Sequence, residues 1–404
     1  MSKRALLTGL VLTMLVFLPI TTGFAADTVK IGILAPLSFQ VGEGQANAAK
    51  MAVKALNAEG GINGKTVELF IEDTEIKPEK AINGYKKLVM VNKVDAVAGV
   101  FSSGVVLALM DHVARYKVPL IATASSSDTI GQKIEEKYNK YKYVFRLMLN
   151  ETDQVGGLTS YVTDFLSPKF GVKKIAIMAE DAKWTERMGA NFKTMVEKAG
   201  IEVAEYFRFP IKETDFAPIL SRIKEAGVDY LIDISAIADG AVYINQWSDL
   251  QGPPIGGCNT SAGSEDFWDK TNGKCKSETV FMYGAYDVPL TPTTKWFWNA
   301  YQKTYGIEAK YASGFTYDAV NILAKAIEQA KSTKPDKLVG ALEAIKYKGV
   351  SGLIEFKKKN HNTICMQDGR PTMIWHQWQG KGQRVPVFPE AYAEADFILP
   401  AWLQ

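Results

Sequence analysis

The sequence predicts an α/β protein built from two doubly wound parallel sheets. Short apolar runs alternate with amphipathic stretches over most of the 404 residues, and this alternation favours parallel strands joined by helices. The same rhythm starts again near residue 150. Because the chain is longer than one ordinary domain, we expect two similar lobes rather than one very wide sheet.

The first lobe is predicted from the strands and helices before residue 150. Ser38 to Gly44 should form a loop, and the following small and apolar positions have helical spacing until Gly60 and Gly61. Pro78 begins another helix. The predicted strands are VKIGILAPL (29–37), TVELFIED (66–73), VDAVAGVF (94–101), VPLIATA (118–124) and YVFRLMLN (143–150).

The second lobe repeats this order and then changes pattern. Gly380-Lys381-Gly382 should join the last two strands as a hairpin. The predicted strands are KKIAIMAED (173–181), EVAEYFRFP (202–210), VDYLIDIS (228–235), PPIGGCNT (253–260), TVFMYGAY (279–286), GLIEFKKK (352–359) and the hairpin within 373–388.

The N-terminus has the pattern of a secretory signal peptide. Lys3 and Arg4 precede an apolar run that breaks at Pro19, and small residues follow up to Ala25. We expect cleavage after Ala25, which removes residues 1–25, or after Ala26, and we expect the mature protein to be periplasmic. The apolar run is short for a membrane span, and we expect no other.

Composition argues against several functions. The formal charge of +3 is spread along the chain, so no basic block predicts binding to nucleic acid. The three histidines lie outside any metal or nucleophile pattern, and no nucleotide-binding motif follows a strand. We therefore expect no catalytic residues, no metal and no cofactor.

Two clusters of hydroxyl residues follow consecutive predicted strands. Ser102 and Ser103 come after the third strand, while Thr123, Ser125 and Ser126 come at the end of the fourth. Ligands of open α/β sheets bind beyond the carboxyl ends of the strands, and helix N-termini with hydroxyl groups favour anions. The clusters predict a cradle for a small carboxylate; the alternative is that the serines only cap helices.

The three cysteines allow one disulfide. Export makes disulfides possible, and Cys258 and Cys275 flank a loop rich in Gly, Ser and Asp that a bridge would close. Cys365 would then be unpaired.

The chain resembles the type I periplasmic solute-binding proteins of ABC transporters, in the group named for leucine, isoleucine and valine binding. The resemblance rests on ANAAKMAVKALNAEGGINGK, AGVFSSGVVLAL, VPLIATASSSD and IAIMAEDAKW, and extends from about Val29 to about Leu353. It implies two Rossmann-like lobes joined by a three-segment hinge, with ligand enclosed between them. Lobe 1 would be residues 27–147 plus 286–349, and lobe 2 would be 148–285 plus 350–404.

The resemblance also implies a set of ligand contacts. Ser102, Thr123 and Ser125 match the groups that hold the ligand carboxylate in the family, with Ser103 and Ser126 as near alternatives. Trp184 stands where a tyrosine of the second lobe covers the ligand, and Ser38 to Gly42 should line the mouth. Val41 occupies the place where an aromatic is common.

One departure from the family concerns ligand choice. The branched-chain binders have a glutamate that grips the ligand ammonium, where this chain has Cys258 and Asn259. An ammonium removed from water needs a counter-charge. Asp239 could supply it, although the residue is equally placed to cap the following helix. A branched-chain amino acid, or a related aromatic or keto acid without an ammonium, is therefore the expected ligand.

These observations predict a monomeric, non-enzymatic binding protein that delivers its solute to an inner-membrane ABC permease. The alternative is a periplasmic sensor that presents the solute to a separate receptor. A permease gene beside this one would favour transport, and a chemoreceptor or kinase gene would favour sensing.

Overall fold

The computed structural model describes residues 28–283 and 288–404. The predicted signal peptide and the last three residues, 284–286, of the predicted strand TVFMYGAY lie outside them. The strands are β1 Val29–Ala35, β2 Val67–Asp73, β3 Ala96–Phe101, β4 Leu120–Ala124, β5 Val144–Arg146, β6 Lys174–Glu180, β7 Glu202–Phe209, β8 Tyr230–Ser235, β9 Ile255–Asn259, β10 Thr279–Tyr283, β11 Tyr347–Gly349, β12 Gly352–Ile354, β13 Met373–Gly380 and β14 Gln383–Phe388.

Helices alternate with most of these strands. They are α1 Gln40–Ala58, α2 Pro78–Lys87, α3 Ser103–Tyr116, α4 Asp128–Glu136, α5 Tyr138–Tyr141, α6 Glu151–Ser160, α7 Ser167–Phe170, α8 Met188–Lys198, α9 Ala217–Glu225, α10 Gly240–Asp249, α11 Phe267–Lys270, α12 Pro292–Tyr305, α13 Tyr311–Ala330 and α14 Pro335–Glu343. Helix α1 begins at Gln40, so the loop predicted up to Gly44 is shorter than expected.

The strands form two large sheets, which confirms the predicted α/β class. In the described part of the chain, the first sheet has five parallel strands in the order β2-β1-β3-β4-β5. The second sheet has seven strands in the order β14-β13-β10-β9-β8-β6-β7. Its last hairpin is antiparallel, as the turn at Gly380-Lys381-Gly382 predicts. No described helix combines the length and apolar character that a membrane span requires.

The core strands are apolar because both faces of each sheet are covered by helices. Every residue of β3, β4 and β8 is buried. Helix α13 packs along α1 above the first sheet and buries most of its own residues. The carboxyl ends of the strands, where the chain turns into helices, remain available for a site.

A buried arginine joins the edge of the first sheet to a segment near the C-terminus. Arg146, at the end of β5, has no exposed surface. Its Nη1 donates to the Ser127 carbonyl at 2.7 Å, and its Nη2 donates to Oδ1 of Asn362 at 2.7 Å. Burial lowers the pKa of Arg146 to about 10, so the guanidinium still carries its charge at neutral pH.

The same segment packs on the first sheet through aromatic rings. His361 stacks on Phe145 of β5 with ring centroids 4.0 Å apart, and Phe356 meets the same ring edge-on at 5.0 Å. Phe356 and His361 therefore contact the first sheet, which belongs to the predicted lobe 1. The predicted boundary assigns both residues to lobe 2, which was expected to resume at residue 350. The division of the chain into lobes stays a prediction.

Two buried acids lie inside the second sheet. Asp233 of β8 and Glu278, just before β10, have no exposed surface. Tyr243 donates to Oδ2 of Asp233 at 2.5 Å, and Asn259 donates to Oε1 of Glu278 at 2.7 Å. Burial raises the pKa of Asp233 to about 7. Burial and the charge of Asp233 also raise the pKa of Glu278 well above its usual value.

We expect Arg146→Met to lower the free energy of unfolding by about 3 kcal/mol, because it leaves two buried oxygens without their donors. Urea unfolding of the ligand-free protein measures this loss. The matched control is Arg222→Met, because Arg222 pairs with Glu205 while its side chain is 61% exposed. That change should cost less than about 1 kcal/mol. Equal losses in the two variants would contradict the role given to Arg146.

We expect stability to fall as the pH rises from 5.5 to 8, through the contribution of Asp233. In the folded protein the carboxyl group of Asp233 keeps its proton up to about pH 7. In the unfolded chain it loses the proton near its usual pKa of about 4. The stabilising contribution is therefore complete below that lower pKa and disappears as the pH passes the folded value.

Asp233→Asn should remove this contribution. The slope of the free energy of unfolding against pH should then become less steep by up to about 1.4 kcal/mol per pH unit. Urea unfolding across the pH range provides the measurement. Asp249→Asn serves as the control, because Asp249 ends α10 and its side chain, paired with Lys274, is 63% exposed. An unchanged pH dependence in Asp233→Asn would show that Asp233 is ionised in the folded protein.

Candidate functional site

A cavity lies where the carboxyl ends of the two sheets face each other. Its volume is small, about 20 Å³. A wider outer cavity of about 350 Å³ adjoins it and opens toward residues 38–41. The inner cavity is lined by Phe101, Ser102, Ser103, Ala124, Ser125, Ser126, Met148, Trp184, Ala236, Ile237, Thr260, Tyr283 and Tyr311.

The serine turns that follow β3 and β4 are joined into one rigid edge. The hydroxyl of Ser103 accepts hydrogen bonds from the backbone N–H groups of Ser126 and Ser127, at 3.1 and 3.0 Å. The N–H of Ser102 donates to the carbonyl of Ala124 at 3.0 Å. Both turns therefore move as a unit, and Ser103 acts mainly as their connector.

The end of β3 has an unusual backbone conformation beside the cavity. Gly99, Val100 and Ser102 have φ angles of +104°, +66° and +82°. A positive φ is strained for a β-branched residue such as valine, and strain of this kind concentrates at functional sites. The strained turn leads into helix α3, whose N-terminus at Ser103 favours a negative charge.

Ser125 supplies the polar atom best suited to a ligand. The residue is 3% exposed, and its hydroxyl has no hydrogen-bond partner among the described residues. A buried hydroxyl without a partner costs about 1–3 kcal/mol. A carboxylate in the cavity would accept this bond, together with a bond from the half-buried Ser102.

Thr123 does not line the cavity, in contrast to the prediction. Its hydroxyl accepts a hydrogen bond from Nε2 of Gln45 at 2.9 Å and lies 3.1 Å from the hydroxyl of Thr316. These partners belong to α1 and α13, so Thr123 ties β4 to the helices above it. Ser126, by contrast, does line the cavity.

Trp184, which the resemblance implies as a ligand contact, forms part of the opposite wall of the cavity. It is 7% exposed, and its indole Nε1 donates to Oε1 of Glu180 at 2.6 Å. Oε2 of Glu180 accepts from the backbone N–H groups of Ile237 and Ala238, each at 2.9 Å. Because the indole N–H is already bonded, Trp184 offers a ligand only its apolar ring surface.

The inner cavity contains no formal charge. None of the thirteen described residues that line it is an Asp, Glu, Lys, Arg or His. Asp239 is exposed in the outer cavity and caps α10 by accepting from the N–H of Ala241 at 3.0 Å. Asp239 is therefore a helix cap and does not reach the inner cavity.

Cys258 and Asn259, which stand where the branched-chain binders have a glutamate, also carry no formal charge. Asn259 is fully buried and donates to Glu278, so its amide belongs to the interior of the second sheet. Among the described residues, no group of three or more His, Cys, Asp or Glu could hold a metal ion.

The predicted disulfide is not formed, because all three cysteines are free and buried. Cys258 belongs to the core that includes Tyr283, and its sulfur lies 3.4 Å from the Tyr283 hydroxyl. Cys275 packs in the separate core that includes Trp247 and Trp378. The two thiols therefore belong to different cores.

Several site residues were missed at the sequence level. Tyr283 is the last residue of β10, and its hydroxyl donates to Oε1 of Gln154 at 2.9 Å. Tyr311 comes from the start of α13, far from the serine turns in sequence. Val41 lines the outer cavity together with Phe39, which is 43% exposed. The mouth therefore does carry an aromatic side chain, two residues before the expected place.

Known proteins share this sequence pattern and this fold. The chain is 25% identical to the Leu/Ile/Val-binding protein homolog 7 of Brucella suis, over 93% of this chain and 95% of that protein. The branched-chain amino acid transporter substrate binding protein LivJ of Streptococcus pneumoniae, in complex with isoleucine, superposes with a TM-score of 0.76 at 22% identity. That match covers 93% of this chain and all of LivJ.

A second solved structure holds a different kind of ligand. The solute binding protein of an ABC transporter from Rhodopseudomonas palustris, in complex with 3,4-dihydroxybenzoic acid, has a TM-score of 0.76 at 19% identity. The match covers 94% of this chain and all of the other. Residues 28–372 also match the sequence pattern described as periplasmic binding protein. The chain belongs to the periplasmic binding protein family.

Proposed function

We propose that the protein is the periplasmic substrate-binding component of an ABC transporter and catalyses no reaction. It captures a small carboxylate-bearing solute between its lobes and delivers it to an inner-membrane permease. One observation carries the proposal: the unpartnered hydroxyl of Ser125 belongs to a serine turn that lines a cavity between the two sheets. The membership of the chain in the family supports the same function.

The favoured ligand is a carboxylate without an ammonium group, such as an aromatic or keto acid. Serine hydroxyls and the N-terminus of α3 can stabilise a carboxylate without a positive side chain. An enclosed ammonium would find no counter-charge among the described cavity residues, and burying it unpaired costs several kcal/mol. The 3,4-dihydroxybenzoic acid bound by a structural neighbour is a ligand of this class.

A branched-chain amino acid is the second candidate. Relatives carry the name Leu/Ile/Val-binding protein, and one structural neighbour holds isoleucine. Apolar cavity residues such as Phe101, Met148 and Ile237 would suit a branched side chain. For this candidate, only hydroxyl and carbonyl oxygens would accept the hydrogen bonds that the ligand ammonium donates.

The mechanism is differential binding between an open and a closed state. A ligand that contacts serine hydroxyls on one side and Trp184 on the other makes both sets of contacts only when the lobes are closed. Closure around a ligand is an established motion of two-lobed binding proteins. The permease would then receive the closed, loaded form.

We expect ammonium-free acids to bind at least about tenfold more tightly than the matching amino acids, because of the unpaired ammonium. Isothermal titration calorimetry of refolded, ligand-free protein tests this with two matched pairs. The pairs are 4-methyl-2-oxopentanoate with leucine, and phenylpyruvate with phenylalanine. Tighter binding of leucine or phenylalanine would reject the favoured ligand class, and failure of all four compounds to bind would count against the proposed solutes.

We expect Ser125→Ala to weaken binding of the tightest acid about 5- to 150-fold, through loss of a hydrogen bond to a charged group. The stability of the ligand-free protein should not fall, because this hydroxyl has no partner there. Ser127→Ala is the matched control, since Ser127 is 2% exposed in the same turn but does not line the cavity. Equal affinities of Ser125→Ala and wild type would remove Ser125 from the site.

A further inference from the structure

Glu180 is a buried carboxylate that the sequence analysis did not single out. It ends β6 and has no exposed surface. It does not line the inner cavity itself. Its side-chain carboxylate accepts three hydrogen bonds, from the indole N–H of Trp184 and from the backbone N–H groups of Ile237 and Ala238. Trp184 and Ile237 line the inner cavity, while Ile237 and Ala238 line the outer one.

These three partners belong to two separate segments of the chain. Trp184 lies in the irregular stretch between β6 and α8, and the other two lie between β8 and α10. Loops without regular backbone pairing are the mobile parts of a fold. One carboxylate therefore connects two loops that would otherwise be placed independently, and both loops form the same wall.

The bonds of Glu180 are strong because of its charge. Hydrogen bonds to an ionised acceptor are about twice as strong as neutral ones. One indole N–H and two backbone N–H groups donate to the carboxylate of Glu180 and compensate for its burial. Glutamine at this position would replace one acceptor oxygen with an NH₂ donor, and part of these hydrogen bonds would be lost.

We propose that Glu180 is a positioning residue that fixes the wall formed by Trp184, Ile237 and Ala238, and that it selects ligands with an apolar or aromatic body. This inference rests on the proposed function as a solute-binding protein. By holding the indole N–H, Glu180 turns the tryptophan into a purely apolar surface. A ligand with a polar group at this wall would face no donor from Trp184.

The first test needs no ligand. Protein labelled with ¹⁵N-tryptophan shows the indole N–H signals, and Trp184→Phe identifies the signal of Trp184. We expect Glu180→Gln to shift that signal and to speed hydrogen exchange in the peptides that contain residues 181–187 and 236–239. Glu278→Gln is the control, because Glu278 is equally buried but bonds no residue of the wall. An unmoved Trp184 signal, or exchange that increases throughout the protein, would overturn the positioning role.

The second test measures selection, with benzoate as the apolar probe and 2-oxobutanoate as a small one. We expect Glu180→Gln to weaken benzoate binding about tenfold and 2-oxobutanoate binding much less, with Glu278→Gln equal to wild type. The double variant Glu180→Gln/Trp184→Phe should bind benzoate no more weakly than Glu180→Gln alone, because both act on one wall.

Equal losses for the two acids would overturn the selective role. If neither acid binds to wild type, the proposed solute class fails, and the ligand-free test still decides whether Glu180 positions the wall.

Discussion

The position of the serine turns depends on the buried guanidinium of Arg146. It binds the carbonyl of Ser127 and the amide oxygen of Asn362, while its own backbone pairs with His361 and Thr363. Three distant pieces of chain therefore meet at one side chain. Burying an arginine is costly, and this cost is offset only while the bonded oxygens stay in place. The geometry of the serine turns is thus set partly by residues more than two hundred positions away.

The two walls of the cavity divide the chemistry of recognition. One wall consists of serine hydroxyls near a helix N-terminus, which under the proposed function would stabilise a carboxylate by dipoles rather than by a full charge. The other presents Trp184, whose N–H is bonded to Glu180, and the apolar Ile237. A hydroxyl can donate to a carboxylate with little rearrangement, whereas an ammonium brings several donors that need acceptors. The asymmetry therefore favours a ligand with one anionic end and an apolar body.

The sequence predicted the sheets and the serine side of the inner cavity, because both depend on local pattern. Ser102 and Ser125 could be identified from their places after buried strands, and Trp184 from the resemblance. Thr123 has the same local pattern, but its hydroxyl bonds to Gln45 and Thr316, which no local signal reveals. Tyr311 enters from a helix that packs over the first sheet, so its place follows from tertiary packing. The prediction of a disulfide between Cys258 and Cys275 was wrong for the same reason, because spacing along the chain does not show which core a thiol packs in.

Direct contacts between the predicted lobes bear on how tightly a ligand can bind. The rings of Tyr283 and Tyr311 lie 5.3 Å apart across the cavity, and Arg384 donates to Glu308 at 2.6 Å. Under the proposed function, these contacts would favour closure before any ligand enters, so a ligand would need to supply only part of the closing free energy. The unpartnered hydroxyl of Ser125 would act in the opposite direction, because it leaves an unmade hydrogen bond at the cavity. A ligand that accepted this bond would remove that penalty, and this difference would give the proposed preference for the loaded form.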